Sequence, residues 1–226
     1  MLKHILSALS AVTLVAACTS TPTIQTGNDA ETINGNLHKV DNSRADLSYI
    51  NPDADFSKYQ KIMLMPLGVD KVEIKQPDTS SSPNRNRAHW ELTDQDRLKL
   101  QELFHDAMSK QLQEKEGYSI VTKPGDDVLQ IQARLLAIAP SGPKDDFQSR
   151  PVGRSTVYTD GAGAMAVGVA FGDSQNGEIL ALMKDSRTTH SNWGRNNSVG
   201  NLSDVRQMFS AWASSIRKGL DKAHGK

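Results

Sequence analysis

The sequence predicts an α+β fold: a two-layer sandwich in which two amphipathic helices lie on one face of a mixed sheet of about five strands. Three observations carry it. Two segments repeat apolar residues at helical spacing, Leu100, Leu103, Phe104, Ala107, Met108 and Leu112 in the first and Val205, Met208, Phe209, Trp212, Ile216 and Leu220 in the second. Residues 128–139 alternate instead, with Leu129, Ile131, Ala133, Leu135 and Ala137 on one side and Gln130, Gln132 and Arg134 on the other, as in a strand with one wet face. Each helix has a single apolar stripe, so both are expected to cover the same side of the sheet.

The elements follow in the order β-α-β-β-β-β-α. Residues 61–69 form a continuous apolar run and are expected as a buried central strand with Pro66 near its exit. The polar stretch 70–90 reads as a loop with a short edge strand at Val72, Glu73 and Ile74. Thr93 followed three residues later by Asp96 has the form of a capping box, which starts a helix running to Lys115, with Gly117 ending it. A short strand over 118–122 stops at Lys123-Pro124-Gly125, and a second long loop spans 140–161.

Residues 163–172 are the next strand, with Met165, Val167, Val169 and Phe171 on one face. The other face carries only Ala164, Ala166, Gly168 and Ala170, small enough for a helix to pack close. Asn176-Gly177 predicts a type I′ hairpin, in which both central residues take positive φ, returning through a strand at 179–189. Residues 193–200 read as a polar loop before the last helix, which opens at Leu202-Ser203-Asp204.

Composition excludes some functions. With 26 basic and 26 acidic side chains there is no cationic excess of the kind that binds nucleic acid. The six histidines are scattered, without a second His or a Cys at i,i+4, so no metal or cofactor site is expected. Asp185, His190 and Ser191 are the residue types of a hydrolase triad, but no Gly-x-Ser-x-Gly elbow accompanies them. Asp126-Asp127 and Asp145-Asp146 sit in Pro/Gly-rich stretches, where paired aspartates are ordinarily turn formers. Asp160-Gly161-Ala162-Gly163 precedes a strand and lacks the Lys-Ser/Thr of a phosphate loop. No catalytic residue is therefore expected.

The amino terminus is more specific. Lys3 is followed by an apolar run from Ile5 to Val15, too short to span a bilayer, and then by Ala16, Ala17 and the single cysteine, Cys18. Val15-Ala16-Ala17-Cys18 resembles the lipobox of a bacterial lipoprotein signal peptide. That resemblance implies cleavage between Ala17 and Cys18, lipidation of the Cys18 thiol and, with Thr19 in place of aspartate, sorting to the periplasmic face of the outer membrane. The resulting division is a signal peptide (1–17), a lipidated flexible tether (18–46) poor in periodic apolar residues, one domain (47–222) and a disordered tail (223–226).

Tyr49-Ile50-Asn51-Pro52, Phe56-Ser57-Lys58-Tyr59, the helix after Trp90, the stretch from Phe171 to Glu178 and the Asp204-Val205-Arg206 helix start occur in a familiar order. Together they resemble a bacterial lipoprotein family built on a domain of unknown function. The resemblance supplies no catalytic residue. The expectation is a non-catalytic binding or assembly module, anchored to the membrane by its lipid and facing an envelope protein partner. The alternatives are a periplasmic hydrolase acting on an envelope polymer and a small-molecule or lipid carrier.

Overall fold

The computed structural model describes residues 21–77, 89–141, 158–160, 163–189, 193–195 and 198–226. In chain order these form β1 (Thr23–Ile24), β2 (Thr32–Ile33), β3 (Leu37–Asp41), β4 (Leu47–Ile50), a 3-10 turn (Phe56–Lys58), β5 (Lys61–Leu64) and β6 (Glu73–Ile74). Helix α1 (Asp94–Gln113), β7 (Ser119–Ile120), β8 (Val128–Pro140), β9 (Tyr158–Asp160), β10 (Gly163–Asp173), β11 (Ile179–Thr188), β12 (Trp193–Arg195) and α2 (Ser198–Ala223) follow.

The α+β class stands, but the five-stranded sandwich does not. The main sheet has ten strands in the order β1-β3-β4-β11-β10-β8-β5-β7, with β2 also on β3 and β6 also on β8, and β9 and β12 form a separate two-stranded ribbon. β5 and β6 run parallel to β8, and β5 runs parallel to β7. The other pairs are antiparallel. The extra strands come mostly from residues 21–41, where the expected tether is corrected: β3 pairs with β4, and Leu37 is completely buried. Tyr49 Oη donates to Glu31 at 2.5 Å and Lys39 Nζ pairs with Glu31 at 2.7 Å, which fastens this segment to the sheet.

The core forms on one face. Leu129, Ile131, Ala133, Leu135, Met165, Val167 and Val169 are buried together with the inner stripes of both helices. Phe104 of α1 meets Phe209 of α2 edge to face at 5.6 Å. The helices thus cover the face of large side chains, and the expectation that Ala164, Ala166, Gly168 and Ala170 receive a helix is corrected. Those four are half-buried on the opposite face, where the atoms nearest a Cβ on Gly168 would be those of the Leu136 side chain, at 3.5 to 3.7 Å.

Local chemistry explains the element ends. Thr93 and Asp96 form the capping box, each bonding the other's backbone N–H. Past the end of α1, a Cβ on Gly117 would lie 2.1 Å from the Leu112 carbonyl oxygen, so only glycine lets the chain turn there into β7. β5 stops at Leu64, earlier than expected: the Met65 N–H still donates to the Ile131 carbonyl at 2.9 Å, the register then slips by one residue around Pro66, and pairing resumes at a single bridge between Gly68 and Arg134.

The hairpin between β10 and β11 differs from the type I′ expectation. Gly177 has φ 72° but Asn176 does not take positive φ. The Asp173 carboxylate accepts from Gln175 N–H at 2.9 Å and Asn176 N–H at 3.4 Å, and Gly177 N–H donates to the Asp173 carbonyl at 3.0 Å, giving a longer turn. The region expected as a loop over 193–200 contains β12 and the first turn of α2. The expected disordered tail is also corrected: His224 Nε2 lies 3.0 Å from the Tyr59 carbonyl oxygen, and Lys226 N–H donates to the Asp221 carbonyl at 2.9 Å.

Candidate functional site

Two buried carboxylates are the first places to look for chemistry, and both are engaged structurally. Asp185, on β11, accepts from Trp212 Nε1 at 2.7 Å, Arg187 Nε at 3.2 Å and the Asp46 N–H at 3.3 Å. Its job is to satisfy the indole of a core tryptophan that is 1% exposed. His190 and Ser191 lie outside the described residues, as do Asp145, Asp146, Ala17 and Cys18.

Asp173 accepts from Tyr59 Oη at 2.8 Å and Lys58 Nζ at 3.2 Å while also holding its turn. Burial pushes its pKa upward. The hydrogen bonds from Gln175, Tyr59, Lys58 and Asn176 outweigh that and bring it down to about 2. At neutral pH it is an ionised clamp between the 3-10 turn and the hairpin. Of the aspartate pair 126–127, Asp127 makes an exposed ion pair with Lys61 at 2.9 Å, beside the start of β8.

A third polar cluster locks the helices together. Arg217 of α2 donates from Nη1 to the carbonyls of Gln111, Leu112 and Glu114 at 3.3, 3.1 and 2.8 Å, occupying acceptors that the end of α1 leaves free. Its Nε pairs with Asp221 at 2.6 Å, and its guanidinium lies 5.2 Å from the centre of the Tyr118 ring. Burial first, and then the bond to Asp221, push the Tyr118 phenol up to about 12. Among the described residues no group of three His, Cys, Asp or Glu side chains could share a metal ion. No described helix is long and apolar enough to cross a membrane.

A shallow groove lies between α1 and the outer edge of the sheet. It consists of two adjoining hollows, about 570 and 530 Å³, which share Pro66 and Gln101. Its existence follows from how β5 ends. β7 pairs only with Lys61 and Ile62, so among the described residues Leu64 pairs with β8 on one side and with no strand on its outer side. Beyond it, side chains of α1 take the place of a neighbouring strand: Gln101 Nε2 donates to the Leu67 carbonyl at 2.9 Å and Arg97 Nη1 to the Val69 carbonyl at 2.8 Å.

Leu64, Pro66 and Leu67 give the groove an apolar side. On the helix side it is lined by Asp94, Leu98, Glu102 and Asp106, with His105 at one end. Leu98 is 63% exposed, the most exposed large apolar side chain among the described residues. Asp94 approaches Arg97 at 3.8 Å and Glu102 pairs with Lys99 at 2.8 Å, both at the surface. These groups do not converge on a buried point, as general acid–base or nucleophilic chemistry requires. Asp94, Leu98, Glu102 and Asp106 follow one another at steps of four residues along α1.

Sequence reading did not single out this groove. Leu98 lies off the buried stripe of α1, and a single leucine on a polar helix face is ordinary. The available signal was its company, since Asp94 and Glu102 stand four residues to either side.

The fold and groove define an α+β domain with a groove at a strand edge and no assembled catalytic constellation among its described residues. The chain belongs to the family described as protein of unknown function (DUF3313), whose model matches residues 36–216. No curated protein matches it. Among solved structures, it is similar to the PelC dodecamer from Paraburkholderia phytofirmans, with 8% identity over 73% of this chain and 91% of that chain, TM-score 0.37. It is also similar to a protein from Xanthomonas campestris, with 7% identity over 76% and 89% of the two chains, TM-score 0.40. A third is a candidate lipoprotein from Caulobacter crescentus CB15, with 13% identity over 69% and 92%, TM-score 0.30.

Proposed function

We propose that this protein is a lipid-anchored module of the bacterial envelope that binds a protein partner through the groove between α1 and the β5 edge, without catalysing a reaction. The observation that carries the reading is the groove as a whole, which sets the 63% exposed Leu98 across from Pro66 and Leu67. Exposing a leucine on a helix that has a full buried stripe of its own gives nothing to the fold, whereas covering it with a partner removes apolar surface from water. The buried acids support the same reading, because Asp173 and Asp185 are fully committed to holding Tyr59, the hairpin and Trp212.

The anchor rests on Val15-Ala16-Ala17-Cys18. Three acyl chains, each contributing about 0.8 kcal/mol per buried CH₂, hold a protein on a membrane essentially permanently. Residue 21 onward then lies in or against the domain, so the domain sits close to the bilayer on the outer membrane's periplasmic face. A photoreactive residue placed at position 98 in living cells tests the binding role. A discrete adduct of one size at position 98, and none from the exposed face of α2 at Lys218, supports it. Equal adduct patterns from both positions, or none from either, contradict it.

A further inference from the structure

The groove's geometry points to the chemistry of its occupant, and we infer that it is an extended, basic polypeptide segment whose alternate residues read Lys/Arg, apolar, Lys/Arg, Lys/Arg. This deepens the binding role proposed above and rests on it. Along the helical side, Asp94, Leu98, Glu102 and Asp106 follow one another at intervals of four residues. With a rise of 1.5 Å per residue, that places them about 6 Å apart. Alternate residues of an extended chain lie on one face about 6.7 Å apart. The two repeats match closely enough for four successive same-face side chains of a strand to meet these four residues in turn. Each step of four also rotates by about 40° around the helix, about 120° in all from Asp94 to Asp106, so the occupant has to wind around α1 with a marked twist.

The charges decide its composition. The two hollows are lined by the carboxylates of Asp70, Asp94, Glu102 and Asp106 against the single guanidinium of Arg97. Arg97 also donates to the Val69 carbonyl, which ties it down. Arg134 approaches Asp70 only at 3.9 Å, and the Glu102 pair with Lys99 is exposed, so these partners offset the excess weakly. Leu98 falls between Asp94 and Glu102 and asks for an apolar residue between two cations. The opposite side supplies the reason for an extended rather than helical occupant. It is the outer edge of β5 at Leu64, without a strand partner on that side beyond Ile62 and followed by Pro66, which confines main-chain pairing to the Leu64 end.

The test uses the full chain and three synthetic probes: Lys-Ser-Leu-Ser-Lys-Ser-Lys, the same peptide with glutamate for lysine, and a scrambled version that places the lysines consecutively. The basic, correctly spaced probe is expected to bind at least about tenfold more tightly than either other probe and to weaken with added salt. Asp106→Lys and Glu102→Lys should each lower its affinity while leaving the melting temperature unchanged, since both side chains are at the surface. Indistinguishable binding of the three probes, or no loss in these variants, overturns the inference. The two readings fail separately. A position-98 adduct in cells that persists undiminished in Asp106→Lys sinks the basic occupant and leaves the binding role intact, whereas no adduct at position 98 removes both.

Discussion

Among the described residues, the two buried aspartates, Asp173 and Asp185, both serve as acceptors for other core groups. Asp173 shows this most clearly, because one carboxylate closes the β10–β11 turn and receives Tyr59 and Lys58 from the 3-10 turn. Asp173→Ala should destabilise the protein by about 1–3 kcal/mol at neutral pH, since the Tyr59 hydroxyl is left without its acceptor. The pH dependence has a definite sign. The folded pKa of about 2 lies below the ordinary 3.8, so the carboxylate's contribution is complete above pH 3.8 and is lost as the pH falls through about 2. Urea midpoints of wild type and variant should therefore converge between pH 4 and 2; a constant gap over that range would show that ionisation is irrelevant to the clamp. Trp212 is 1% exposed and touches Phe209 as well as Asp185. Trp212→Ala should cost about 3–5 kcal/mol, and an unchanged melting temperature would place its ring outside the core.

At the scale of elements, what was legible in the sequence depended on length and periodicity. α1, β8, β10 and β11 are 10 to 20 residues long, so the repeat of apolar residues accumulates into a clear pattern. β1, β2 and β3 have two to five residues among Thr, Asn and Gly, and Leu37 is the one fully buried side chain there, too little for periodicity to register. The I′ turn misled because Asn-Gly is a strong local signal, while Asp173, three residues before Asn176, supplies a side-chain acceptor that stabilises a longer loop. The groove was invisible for a related reason: it arises from β7 being two strand residues shorter than β5, a tertiary mismatch no local pattern encodes. Two predictions follow from these elements. Leu37→Ala should lower stability by about 2–5 kcal/mol, and a chain lacking residues 21–46 should melt earlier than the complete one. If that shortened chain unfolds with the same midpoint, β1–β3 are an appendage after all. Gly117→Ala should also be destabilising, because a Cβ there meets the Leu112 carbonyl and the Arg217 side chain together.

At the scale of the whole molecule, the amino-terminal strands lie at the far edge of the sheet from β5 and β7, so the segment that follows the proposed anchor at Cys18 joins the sheet at the edge opposite the groove. A membrane-bound protein can then hold its partner without the bilayer competing for the same surface, and anchoring raises the local concentration of groove near any partner fixed in the same membrane. The measurement that tests this account most directly is the yield of the position-98 photo-adduct in membrane and soluble fractions, compared between wild type and Cys18→Ser. The account predicts one discrete adduct in the membrane fraction of wild type and a strongly reduced yield when Cys18 is replaced. An equal yield in the two proteins, or no adduct at position 98 in wild type, would contradict it.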